Sequence, residues 1–271
     1  MKTGLSILFF WCTLSAFGQF HTAASRSEIG FLIGGSTYLG DLNQFIPFRE
    51  THLAGGILYR YNVNPRFSVR ANLTYGRVSA NDAKSTEVLN QDRNLSFYSD
   101  IFELGAGVEF NYFPFQLGHE RYKGTAYILA EIAVFRMNPK TMYDGKEVEL
   151  RPLGTEGQGS SLSSKKHYSL TQISIPLGVG AKLSLGDRVG LNFEIGIRKT
   201  FTDYLDDVGS DAYVDPDVLA IENGPLAAEL SNRSGSRYGK RGNGATKDWY
   251  MFAGAMVTIR LGKYQNCFPG H

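Results

Sequence analysis

Period-two alternation of apolar and polar residues runs through most of this chain. Between Val189 and Ile197, the residues Val189, Leu191, Phe193, Ile195 and Ile197 are apolar, and Gly190, Asn192, Glu194 and Gly196 lie between them. A strand with one apolar face and one small or polar face has this rhythm. It recurs seven more times, so the pattern predicts strands near residues 28–40, 52–63, 66–78, 98–113, 125–137, 169–185, 188–202 and 248–262. In the third, Phe67, Val69, Ala71, Leu73 and Tyr75 oppose Arg66, Ser68, Arg70, Asn72 and Thr74. In the fourth, Phe102, Leu104, Ala106, Val108, Phe110 and Tyr112 oppose Glu103, Gly105, Gly107, Glu109 and Asn111. Most runs reach the roughly 9–11 residues that a tilted strand needs to cross a bilayer. Strands of soluble proteins usually stop near about 5–6.

The connections alternate in length. Strands two and three meet across Asn62 to Arg66, strands six and seven across Gly186-Asp187, and strands four and five across Pro114 to Gly124. The other four links, 41–51, 79–97, 138–168 and 203–247, are longer. Short turns on one rim and long loops on the other, with an even strand number, are the layout of an outer-membrane barrel. The expected fold is therefore all-β: an eight-stranded antiparallel transmembrane barrel with short periplasmic turns and long extracellular loops. Both chain ends fall on the short-turn side.

Polarity separates this reading from a secreted β-sandwich or lipocalin-like barrel, in which the apolar faces would point inward. The polar faces carry Arg60, Arg66, Arg70, Glu103, Glu109, Glu131, Lys182, Glu194, Arg198 and Arg260. Charges of both signs can pair across a narrow lumen, and Gly30, Gly34, Gly56, Gly105, Gly107, Gly178, Gly180 and Gly254 relieve crowding there. Eight strands leave an interior that side chains just fill, so a plugged barrel is expected. Tyr59, Tyr61, Tyr75, Phe110, Tyr112, Trp249 and Tyr250 lie near strand ends, where aromatic girdles sit.

Composition agrees: 31 Gly, 18 Phe and 15 Tyr among 271 residues point to a β-rich chain. With 28 Lys+Arg against 26 Asp+Glu, bulk charge gives no reason to expect nucleic acid. No stretch reaches the roughly 18 apolar residues of a transmembrane helix. The start, MKTGLSILFFWCTLSAFGQF, has Lys2, an apolar core from Leu5 to Phe17 and a small-x-small site before Gln19. It reads as a signal peptide over 1–18, with the barrel domain over 19–271. Lipidation of Cys12 would want a small residue where Trp11 stands. Removal of the signal leaves Cys267 with no partner for an internal disulfide, and no Cys-His motif surrounds it.

Candidate chemistry is sparse. PLGTEGQGSS, Pro152 to Ser161, resembles a phosphate cradle but lacks the Gly-Lys-Ser/Thr ending. A shaped loop is expected there. FTDYLDDVGSDAYVDPD carries Asp203, Asp206, Asp207, Asp211, Asp215 and Asp217. These miss the spacing of a calcium loop and are expected to scaffold the strand exit, with ion pairing or an incidental cation left open. Arg233, Arg237, Lys240 and Arg241 form a basic patch later in the same loop, a solvated face or partners for those aspartates. His21, His52, His119, His167 and His271 sit in no catalytic or metal-binding motif. No residue is assigned a catalytic, cofactor or metal role.

EIGFLIGGSTYLGDLN, YRYNVNPRFSVRANLTYGRVSANDA, RNLSFYSDIFELGAGVEFNYFPF, PLGTEGQG, FTDYLDDV, LSNRSGSRYGKRGN and KDWYMFAGAMVTI follow one another in this order. Together, from Glu28 to Gly262, they resemble the PorG-like outer-membrane β-barrel family of Bacteroidetes. The resemblance implies a non-enzymatic component of the type IX secretion system, the apparatus associated with gliding motility. It implies partners in outer-membrane lipid, in the periplasmic ring of PorK/PorN-like proteins and in the translocon barrel, contacted from the short-turn side. A surface adhesion barrel, reading a ligand with loops 138–168 and 203–247, is the alternative. An outer-membrane hydrolase or acyltransferase would need a Ser/His/acid group built on His52, His119 or His167.

Overall fold

The computed structural model describes residues 26–43, 48–210, 212–234, 236 and 239–262. The expected signal peptide, Cys12, His21, Asp211, Arg237, Cys267 and His271 lie outside them. In chain order the strands are β1 (Ser27–Leu39), β2 (His52–Asn62), β3 (Phe67–Asn81), β4 (Ser96–Asn111), β5 (Gly124–Arg136), β6 (Lys140–Tyr143), β7 (Lys146–Glu149), β8 (Thr171–Ser184), β9 (Val189–Thr200) and β10 (Trp249–Arg260). All but the β6–β7 hairpin form a closed antiparallel meander, each strand paired with the next and β1 paired with β10 from Glu28↔Arg260 to Leu39↔Trp249. The eight barrel strands are the eight expected from alternation, with ends displaced by at most three residues.

The barrel is inverted in polarity relative to a soluble one. Leu104 (63% exposed), Ile132 (69%) and Ile33 (65%) stand outward in a belt with Phe31, Ile57, Leu73, Val108, Ile128, Val179 and Phe193. Arg60, Glu103, Glu109 and Lys182 are fully buried inside. Water would oppose so continuous an apolar belt, whereas hydrocarbon accepts it. Gly34 shows why the inner wall needs small residues: a Cβ there would lie 2.6 Å from the Cα of Gly254, its cross-strand partner.

Two expectations are corrected. Arg66 is not in the lumen. It lies on the β2–β3 turn, exposed, and donates to the Tyr112 carbonyl at 2.6 Å. Tyr250 is not part of a girdle. Its place in β10 shares the inward parity of Phe252 and Met256, and its hydroxyl donates to Glu103 at 2.6 Å. The long loops carry secondary structure of their own. The 79–97 link holds the short helix α1 (Val88–Arg93), the 138–168 link holds the β6–β7 hairpin, and the 203–247 link holds α2 (Pro216–Glu222) and α3 (Pro225–Ser231).

Candidate functional site

Alternation sends charged residues from several strands into one narrow lumen, where they meet as a ladder. Near the short-turn end Arg60 reaches Glu28 and Glu109, each at 2.9 Å, and Lys182 pairs with Glu109. One level higher Arg70 contacts Glu194 at 2.6 Å, Glu131 at 2.7 Å and Glu109 at 3.3 Å. Above it Arg198 pairs with Glu103 at 3.3 Å. Tyr127 donates to Glu194 at 2.8 Å and Asn72 to Glu131 at 2.8 Å. A buried ion must be paired and hydrogen-bonded or its desolvation is uncompensated, and here the acids and bases compensate one another across the bore. Beside Arg70, Asn72, Glu194 and Arg198 the remaining void is about 10 Å³, room for about one water. The bore is a packed polar core.

Above the ladder the interior turns apolar. Tyr38, Phe97, Ile101, Phe135, Met137 and Phe252 continue without a break into Leu42, Leu95, Leu150, Tyr168, Leu205, Val208 and Leu230 of the long loops. The loops thus share a core with the barrel and close its mouth as a cap.

The aspartate run is the centre of that cap, and Asp203, Asp206 and Asp207 are buried, not solvated. Asp206 accepts from the Tyr38 hydroxyl at 2.6 Å and from the Val208 amide at 2.9 Å. Asp248 accepts from the same hydroxyl at 2.9 Å and from the Leu205 amide at 2.9 Å. Two carboxylates share one phenol proton poorly, and a proton on one of the acids would complete the bridge. Burial, then repulsion by Asp248 and Asp41, holds the Asp206 carboxyl well above the carboxylate range, and burial does the same for Asp248. Asp207 accepts from Tyr168 at 2.7 Å and from Thr155, and burial pushes it up to about 6 against the pull of Arg241. Asp203 lies at the lip with Lys247 at 3.3 Å and is also raised to about 6 by burial. Asp215 serves differently, as the cap of α2, where it accepts from the amides of Asp217 and Val218 ahead of Pro216.

Two arginines tie the loops together. Arg93 pairs with Asp82 at 2.7 Å and donates to the carbonyls of Asp41 at 2.9 Å and Arg241 at 2.6 Å. Arg241 donates to Glu156 at 2.6 Å and to the carbonyls of Asp207 at 3.0 Å and Ser231 at 3.1 Å. Glu156 accepts the amides of Gly209 and Ser210, both at 2.9 Å. The Pro152–Ser161 stretch is therefore no cradle for phosphate, because its acid turns into the cap. Gly154, at φ 58°, makes the turn, and a Cβ there would meet the Gln158 carbonyl at 2.2 Å. Of the basic patch only Arg241, among the described residues, takes an aspartate as partner. Lys240 forms a backbone bridge to Ala212, and Arg233 borders a small void in the cap.

His52, His119 and His167 do not meet. His52 Nε2 lies 2.7 Å from the Ser79 hydroxyl, but that hydroxyl donates to Glu50 at 2.6 Å. The imidazole must then be the donor, the reverse of a serine activated by histidine, in which the acid holds the other ring nitrogen. His119 stacks on Tyr122 at the short-turn end, and His167 is exposed beside Gly159. Among the described residues no group of His, Cys, Asp or Glu is arranged to hold a metal ion.

The model of a family described as a domain of unknown function, DUF6089, matches residues 5–223. The chain belongs to that family. No curated protein matches its sequence. Among solved structures, this DUF6089 chain is similar to neisserial surface protein A at TM-score 0.45 and 11% identity, over 88% of this chain and 99% of that one. It is similar to Ail, the attachment invasion locus protein of Yersinia pestis solved with the heparin analogue sucrose octasulfate, at TM-score 0.41 and 10% identity over 87% and 99%. It is similar to the outer membrane protein OprG of Pseudomonas aeruginosa at TM-score 0.37 and 10% identity over 88% and 99%. At these values none of the three bears on what the capped loops of the DUF6089 chain do.

Proposed function

We propose that the protein is a non-enzymatic structural barrel of the outer membrane that joins the type IX secretion apparatus to the membrane through its periplasmic rim. The observation that carries the structural reading is the filled bore and closed mouth. A barrel sealed by an ion ladder and a packed cap offers a partner its surfaces and not a passage. The secretion role and the PorK/PorN-like ring partners rest on the PorG-like sequence resemblance. The contact surface in this reading is Asn62 to Arg66, residues 114–124 and 186–188, flanked by exposed Val63, Phe113 and Leu185. The test joins deletion of the gene, with type IX cargo assayed in the medium, to affinity capture from detergent extracts. Loss of cargo and recovery of ring subunits, weakened by Leu185→Asp, are expected. Capture that recovers neither ring nor translocon subunits would sink the role. A second reading, surface adhesion, is favoured by apolar tips on the cap, Leu89 at 81% and Ile221 at 84% exposure. It requires that Leu89→Ser and Ile221→Ser abolish a surface interaction while secretion continues.

A further inference from the structure

The outer ends of β1, β10 and β9 place Leu39, Trp249 and Lys199 in one cross-strand row on the outward face. Ile197 stands next to that row on the same face. Above them the capped loops overhang the barrel, and between wall and overhang lies a groove of about 490 Å³. Leu39, Ile197 and Trp249 border it from the strands, and Asp41, Thr246 and Lys247 from the loops. The volume falls in the range of roughly 300–1,000 Å³ typical of small-molecule sites. Its position decides what can lie in it. The groove continues the apolar belt at its long-loop end, so one side faces hydrocarbon and the other the headgroup layer. Tryptophan is the residue that favours this boundary.

Charge narrows the occupant further. Lys199 is exposed, has no acidic partner among the described residues, and holds its Nζ 5.8 Å from the Trp249 ring. The acids nearby are engaged: Asp41 accepts the Asn243 amide at 3.0 Å, and Asp203 pairs with Lys247 at 3.3 Å. An ammonium group beside an apolar groove at the membrane surface suits an amphiphile with a negative head, because a charge-assisted bond to phosphate is stronger than a neutral one. We propose that this groove binds one phosphate-bearing lipid of the outer leaflet, with an acyl chain along Leu39, Ile197 and Trp249 and the phosphate at Lys199. The assignment rests on the membrane-spanning placement of the barrel and is independent of any part in secretion.

Native mass spectrometry of the full-length protein in detergent, titrated with diphosphorylated lipid A, tests it. Dephosphorylated lipid A and inorganic phosphate form the other two arms. One lipid should bind tightly, and binding should weaken at least tenfold in Lys199→Glu, which reverses the charge. Thr246→Trp, which fills the groove from an exposed loop position, should weaken it similarly. Inorganic phosphate should not displace the lipid. Equal affinity for the dephosphorylated lipid, displacement by phosphate alone, or wild-type binding by both variants would overturn the proposal. Heat-modifiable gel migration of each variant separates loss of the site from loss of the fold. Flotation of the wild type with outer-membrane vesicles tests the membrane placement on its own.

Discussion

Arg241→Met removes the charge that joins three cap segments while keeping much of the side-chain volume. The arginine donates to Glu156, Thr155 and the carbonyls of Asp207 and Ser231, and both it and Glu156 are almost fully buried. Breaking a buried pair by removing one partner costs about 3–5 kcal/mol because the other charge stays desolvated. Here Glu156 keeps three donors, the amides of Gly209 and Ser210 and the Ser210 hydroxyl. The lower end, about 3 kcal/mol, is therefore the expected cost. At about 1.4 kcal/mol per tenfold, the opening equilibrium of the cap should rise roughly 150-fold. Hydrogen exchange reads this directly, since the Gly209 and Ser210 amides are protected by Glu156 itself. Their protection should fall by that factor, while amides in mid-strand, such as Ala106 and Ile132, stay unchanged. Adding Glu156→Gln to Arg241→Met should restore part of the protection by removing the stranded charge, a coupling that independent sites would not show. Unchanged protection at Gly209 and Ser210 would refute the view that the cap is held by this clamp.

Two further predictions concern pH and the membrane. A carboxyl whose pKa is raised in the closed cap binds its proton more tightly there than when exposed, so the closed state is favoured at low pH and loses that advantage as pH rises. For Asp207 the loss runs from the ordinary range near about 4 through about 6, and for Asp206 and Asp248 it continues above that. Cap opening by hydrogen exchange, corrected for intrinsic rates, should therefore increase from about pH 4.5 to about pH 7.5 and depend less on pH in Asp206→Asn; a trend toward opening in acid would contradict the assignment. Ile132→Arg, on the outward face at mid-strand, should destabilise the folded barrel in lipid by about 2–4 kcal/mol, measured by denaturant titration in bilayers. A soluble barrel would tolerate an arginine at so exposed a position, so a change within about 0.5 kcal/mol would remove the membrane reading.

Much of the fold was legible in local pattern. A lipid-facing wall repeats the same demand at every second residue, so roughly ten residues of alternation suffice to mark a strand and its two faces. Some features of the loops also carry local signals. Asp144-Gly145, both at positive φ, is the turn chemistry of a two-residue hairpin and joins β6 to β7. Asp215-Pro216 is a helix start, and it opens α2. Tyr250 departs from its expected place because parity along β10, and not aromatic identity, sets the direction of its side chain.

The candidate site was less legible because its partners are far apart in sequence. Tyr38 meets Asp206 across 168 positions and Asp248 across 210. Nothing near FTDYLDDVGSDAYVDPD says that three of its aspartates leave water, since acidic residues in a long loop are usually solvated. Local alternation is enough to specify a β-barrel with a polar bore, an apolar outside and unequal rims, because those properties follow from a period of two and from where it is interrupted. It does not specify which charges pair across the bore, that four long loops pack into one cap, or that the aspartates serve as its buried acceptors. Those outcomes depend on closing the ring, which brings β1 against β10 and sets residues far apart in the chain within hydrogen-bonding distance.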